Sequence, residues 1–135
     1  MLYLLNAIYA FFTSAGTLAT AFPGGFHRDQ APSGTAMPYL VSKVVSSVTE
    51  YSYGDASRSV VQISFSAYGT GHDSTGTLAE LLIRQLDETL LTLSSGTNDT
   101  VLRKGEPAPT LHSQDAQGND VWEWTVVYEY GVVNP

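Results

Sequence analysis

The chain contains no cysteine in its 135 residues. A disulfide scaffold, a Cys-ligated zinc site and thiol chemistry are thereby excluded, and the composition fits a reducing compartment. Positive charge is scarce as well. Six Lys and Arg stand against 13 Asp and Glu, for a net charge of −7. Arg28, Lys43, Arg58, Arg84, Arg103 and Lys104 are scattered, with a single adjacent pair. Tight binding to a phosphate backbone or an anionic bilayer needs several clustered cations, so both partners are disfavoured. Charged residues of either sign make up only 14%. Ser, Thr, Gly and Tyr carry much of the polarity instead, a balance that suits a β-rich domain with much of its surface in contact with something.

The first 26 residues lack Asp, Glu, Lys and Arg altogether. A membrane-spanning helix needs about 20 predominantly apolar residues. Here Asn6, Thr13, Ser14, Gly16, Thr17 and Thr20 interrupt the run. The continuous apolar part is about 11 residues, which fits a buried core helix better than a membrane anchor. Ala19-Thr20-Ala21 mimics a signal-peptidase site, but the positive side chains that open a signal peptide are missing. The stretch therefore reads as the first helix of the fold. A secreted binding module with a cleaved signal is the alternative.

The length suggests one domain, residues 1–135, with one core. Residues 2–12 place Leu2, Leu5, Tyr9 and Phe12 at helical spacing, with Leu4, Ile8 and Phe11 widening the stripe. Residues 17–21 form a short second turn, and Pro23-Gly24-Gly25 ends it. A short strand is expected at 26–30. Pro38 opens a strand, YLVSKVVSS, that is apolar on both sides and so reads as lying inside the sheet. Residues 51–55 are turn-like. In SRSVVQISFSAYGTG the residues Val61, Ile63, Phe65 and Ala67 alternate with Val60, Gln62, Ser64, Ser66 and Tyr68, a clear strand. Residues 73–93 predict a second helix with Leu78, Leu82, Leu86, Leu90 and Leu93 on one face. Thr77 and Glu80 stand at capping-box spacing, and Gly96 is a plausible stop. Short strands follow at 100–103 and 110–113, then a turn at 115–119. The last strand, VWEWTVVYEYGVV, sets Trp122, Trp124, Val126, Tyr128 and Tyr130 on one face. The order predicts an α+β fold: a mostly antiparallel sheet packed by an N-terminal helix and one central helix.

No catalytic or cofactor site assembles from these residues. His27, His72 and His112 do not stand at metal-ligand spacing. Asp87 and Glu88 are adjacent on a helix and point about 100° apart. Asp115 and Asp120 flank a turn and are too sparse for a calcium loop. The stretch GTGHDSTG precedes a helix but lacks the Lys-Ser/Thr of a P-loop and the spacing of a dinucleotide fingerprint. The large aromatics of the last strand admit two readings, a core packed on the helices or a partner surface.

Several phrases resemble one bacteriophage family, the tail-completion or tail-terminator proteins of long-tailed phages. They are LLNAIYAFF, MPYLVSKVVSS with Pro38-Tyr39 at its entry, SRSVVQISFSAYGTGHDSTGTLAELLIRQLDETL with Ala79-Glu80-Leu81, and the terminal WEWTVVYEY. The resemblance spans nearly the whole chain, and no single residue in it is diagnostic. It departs from the family in the uncharged first helix. It implies a non-enzymatic α+β subunit without cofactor or metal that forms a ring, typically a homohexamer. The ring caps the tail tube in the virion, joins tail to head-tail connector, and is assembled in the bacterial host cytoplasm. DNA is expected to pass through its lumen without specific binding, and no membrane is involved. A neighbouring neck or minor tail role is the alternative within this reading. Oligomer and partner contacts are expected on the exposed sheet edge and on the loops 31–37 and 69–74. The residues singled out are Met37, Tyr39, Tyr68, His72, Asp73, Trp122 and Tyr130.

Overall fold

The computed structural model describes residues 1–14, 16–51 and 57–134. The turn expected at 51–55 falls largely outside them. Three helices and six strands follow in the order α1 (Leu2–Ser14), α2 (Gly16–Ala21), β1 (Phe26–Arg28), β2 (Tyr39–Tyr51), β3 (Ser57–Gly69), α3 (His72–Leu86), β4 (Thr97–Arg103), β5 (Ala108–Gln114) and β6 (Asp120–Val133). The strands form one sheet in the order β1-β2-β3-β6-β4, with β5 pairing the other half of the same β6 edge. Only β1 and β2 run parallel; every other pairing is antiparallel. The expected α+β class, a mostly antiparallel sheet with an N-terminal and a central helix, is what the structure has. Among the described residues no helix is long and apolar enough to cross a membrane.

The alternation in β3 and β6 decides where the core lies. Val61, Ile63, Phe65 and Ala67 share a face with Val126, Tyr128, Tyr130 and Val132, and all are buried. The helices cover that face. Leu4, Ile8 and Phe12 of α1, Leu18 of α2 and Leu82 and Leu86 of α3 join the same cluster. Phe12 stacks on Phe26 with centroids 4.4 Å apart, which seats α1 over β1. The uncharged N-terminal stretch thus supplies core side chains. Its buried stripe is Leu4-Ile8-Phe12 rather than the expected one, and Leu2 and Tyr9 are exposed.

Three expectations need correction. The central helix stops at Leu86, not near residue 93. Leu90 and Leu93 keep helical spacing, but Asp87 is held from outside the helix. Its Oδ1 accepts from Arg103 Nε at 3.1 Å and from the Tyr128 hydroxyl at 2.6 Å. Glu88 then takes a φ of 59°, and the chain turns so that Leu91 enters the core while Leu90 faces solvent. The capping box is not used either. Gly71 is the N-cap without a side-chain bond, and the Thr77 hydroxyl donates back to the Asp73 carbonyl. Finally, β2 lies inside the sheet only over its first residues, where β1 pairs Leu40, Val41 and Ser42. Beyond them it is an edge strand with Val44, Val45 and Val48 exposed. A bulge between Val44 and Ser46 shifts its register there.

The turn before β6 follows its chemistry. Asp115 Oδ1 accepts from the backbone N–H of Gln117 and of Asn119, both at 2.9 Å. Gly24 is required by a close approach: a Cβ there would come within 1.8 Å of the Ala36 carbonyl.

Candidate assembly surface

Among the described residues no helix covers the second face of the sheet. Its β3 and β6 residues are those that alternate with the core: Gln62, Ser64 and Ser66 beside Glu123, Thr125, Val127 and Glu129. Their side chains bond to one another. Ser66 and Thr125 hydroxyls meet at 2.9 Å, Thr125 donates to Glu123 at 3.1 Å, and Gln62 donates to Glu129 at 3.3 Å. The result is a fixed lattice of hydroxyls and carboxylates.

At one end of this face the start of β2 meets the end of β3. Tyr39 pairs Tyr68 in register, and their rings stack at 4.9 Å. Val41, Tyr68 and Val121 are buried there, with Ala31, Met37 and Tyr39 packed against them. His112 of β5 sets its ring edge-on to Tyr68 at 5.1 Å, with Nδ1 3.6 Å from Glu123. Burial raises the Tyr68 and Tyr39 phenols above their usual range, and the Glu123 carboxylate raises them further. Both therefore stay neutral hydroxyls. Beside them lies a groove of about 730 Å³ between the loop 31–37, Thr70 and the turn 113–117.

The same end of the sheet carries a second cluster on its helix-covered face. His72, the first residue of α3, sets its ring perpendicular to Trp122 at 4.7 Å and lies 5.3 Å from Trp124. Trp124 Nε1 donates to the His72 carbonyl at 3.1 Å. Gly76 makes room for that indole, since a Cβ would meet it at 2.8 Å. His72 Nδ1 and Asp73 Oδ1 are 2.7 Å apart, and the Asp73 side chain is fully exposed.

Six of the seven residues singled out from sequence therefore gather at one end of the molecule. Met37, Tyr39 and Tyr68 lie on one face, and His72, Asp73 and Trp122 on the other. Tyr130 does not join them. It is 0% exposed in the core, at the far half of β6, and cannot touch a partner in this fold. The two readings of the aromatic strand thus divide along its length. Tyr128 and Tyr130 are core, while Trp122 and Trp124 are half-buried at the rim. Sequence reasoning missed the Trp124–Gly76 contact; its signal was a glycine inside an otherwise good helix. Among the described residues no three His, Asp or Glu side chains gather as a metal site would require.

No family model matches the sequence, and no curated protein matches it. A virion chain shares the fold. It comes from a solved structure described as the virion of a native gene transfer agent particle. The match covers 98% of this chain and 96% of that one, with a TM-score of 0.70 at 16% identity. At that identity the likeness is one of fold. A second solved chain, also 16% identical and covering 93% of this one, reaches a TM-score of 0.49, too low to speak for a shared fold.

Proposed function

We propose that this chain is a structural protein of a tailed-phage-type virion, a tail-completion subunit that forms a ring, caps the tail tube and joins tail to head. The observation that carries the reading is the fold, shared end to end with a chain of a gene transfer agent virion. The phrases quoted above support the finer role. The subunit is a structural part rather than an enzyme, and its partners are copies of itself, the tube protein and the connector. The rim carrying Tyr39, Tyr68, His72 and Trp122, with the groove beside it, is the surface offered to a neighbouring ring or tube. The carboxylates of Glu123 and Glu129 share the uncovered face. Turned toward a lumen, that face lets DNA pass without sticking, because phosphates are repelled.

Native mass spectrometry of the purified chain, with negative-stain microscopy, tests the ring. A closed oligomer, with six protomers as the expected number, supports the reading, and a strict monomer at high concentration refutes it. Replacing Glu123 and Glu129 with Gln tests the lumen. Virions carrying the variant should retain and eject DNA more poorly, and unchanged retention and ejection would sink that part.

A further inference from the structure

Among the described residues, two open edges of the sheet lie on the same rungs. On one side β2 is uncovered from residue 43 to 51. On the other is the outer edge of β4. The pairings connect them directly: Ser47 faces Val61, Val61 faces Tyr130, and Tyr130 faces Val101. Two rungs along, Thr49, Ser59, Val132 and Asn98 line up in the same way. Four strands thus form this half of the sheet, alternating in direction. Because that number is even, a head-to-tail copy brings β2 of one protomer beside β4 of the next in antiparallel sense. That is the more stable ladder.

We propose that these two edges pair between copies of this chain, so that one antiparallel sheet continues from protomer to protomer around a ring. The proposal rests on the ring reading above and names its subunit contact. An open strand edge is a template for another chain, and a contact between two different edges is heterologous, as a closed ring requires. The side chains select a register. Val48 and Leu102 are 58% and 53% exposed, and both point to the uncovered face. Within one protomer their rungs differ by two residues, since Val48 leads across to Thr100 and Ser46 to Leu102. A two-residue stagger between protomers keeps every side chain on its face and sets Val48 opposite Leu102. One register therefore brings these two exposed apolar side chains together.

The absence of native cysteine makes the test clean. Val48→Cys and Leu102→Cys are introduced together and singly in the full chain, then oxidised. Within one protomer the two positions are three strand spacings apart, about 14 Å. A disulfide spans Cα atoms only about 4–7 Å apart, so a bond must join two protomers. The double variant should give a covalent ladder ending at the ring's protomer number, and the single variants none. A ring by native mass spectrometry without a ladder overturns the edge pairing and leaves the ring reading standing. A strict monomer with no ladder overturns both. Dimers from either single variant indicate a two-fold contact and overturn the pairing.

Discussion

Removing the hydroxyl of Tyr130 should stabilise the protein. The ring is fully buried between β3 and β4, and its oxygen has no hydrogen-bond partner among the described residues. Burial alone raises its phenol well above the usual range, as expected where nothing stabilises the charged form. A buried hydroxyl left unpaired costs about 1–3 kcal/mol. Tyr130→Phe removes that cost and keeps the ring. The void it leaves is one oxygen in size, worth ~0.3 kcal/mol at ~24 cal/mol per Å³. The net gain is then about 1–2 kcal/mol, a rise in Tm of about 3–6 °C for a domain of this size. The neighbouring Tyr128→Phe is the control of opposite sign. Its hydroxyl donates to the Asp87 carboxylate at 2.6 Å, and a bond to a charged group contributes about 1.5–3 kcal/mol. Asp87 retains Arg103, so the loss should fall at the lower end. Equilibrium urea unfolding at matched protein concentration reads both variants, and equal slopes certify that stability alone has changed. If Tyr130→Phe destabilises by more than about 1 kcal/mol, the hydroxyl has a partner and the reasoning fails.

Phe12→Ala should cost about 3–5 kcal/mol, because its buried ring packs on Phe26 and Phe65; a loss under about 1 kcal/mol in calorimetry would show that the uncharged first helix is not part of the core. Gly24→Ala should lower the yield of soluble protein or its Tm, since the added carbon meets the Ala36 carbonyl; an unchanged melting curve would refute the close approach. Arg58 bonds Asp99 at 3.1 Å and holds that carboxyl below its ordinary value. A lowered pKa contributes stability in full above the unfolded value of about 4, lost as pH falls through the lower folded value. Asp99→Asn should therefore flatten the fall in Tm on the acid side and lower Tm at neutral pH, and parallel curves for the two proteins would refute it.

The strands that carry alternation were legible, and β3 and β6 lie where their two-residue period puts them. What sequence could not show was decided by residues far apart in the chain. The helix after β3 keeps its apolar spacing to Leu93, yet Asp87 is captured by Arg103 and Tyr128 from β4 and β6, and the helix ends there. In β2, Val44 and Val45 read as interior because apolar residues on both faces normally mean two covers. The structure leaves them on an open arm, and a pattern cannot tell a cover within the chain from one brought by a neighbour. The candidate surface was half legible. Met37, Tyr39, His72 and Trp122 were marked by size and by their nearness to glycine-rich loops. Tyr130 was marked for the same reason and lies in the core, because one face of β6 is rim at its start and interior at its end. Val48 and Leu102 gave no signal as single residues.

The central position of β6 has a consequence for how the molecule comes into being. β6 separates β3 from β4 and β5, and all three pair with it. During synthesis β3, α3, β4 and β5 emerge in turn, yet until β6 follows, β3 has one strand neighbour and the other two have none. The two halves of the sheet are joined by pairings of long sequence separation, which form slowly. The nascent chain therefore waits for β6 to complete its sheet, and β4 takes its place as an edge strand only in that late step.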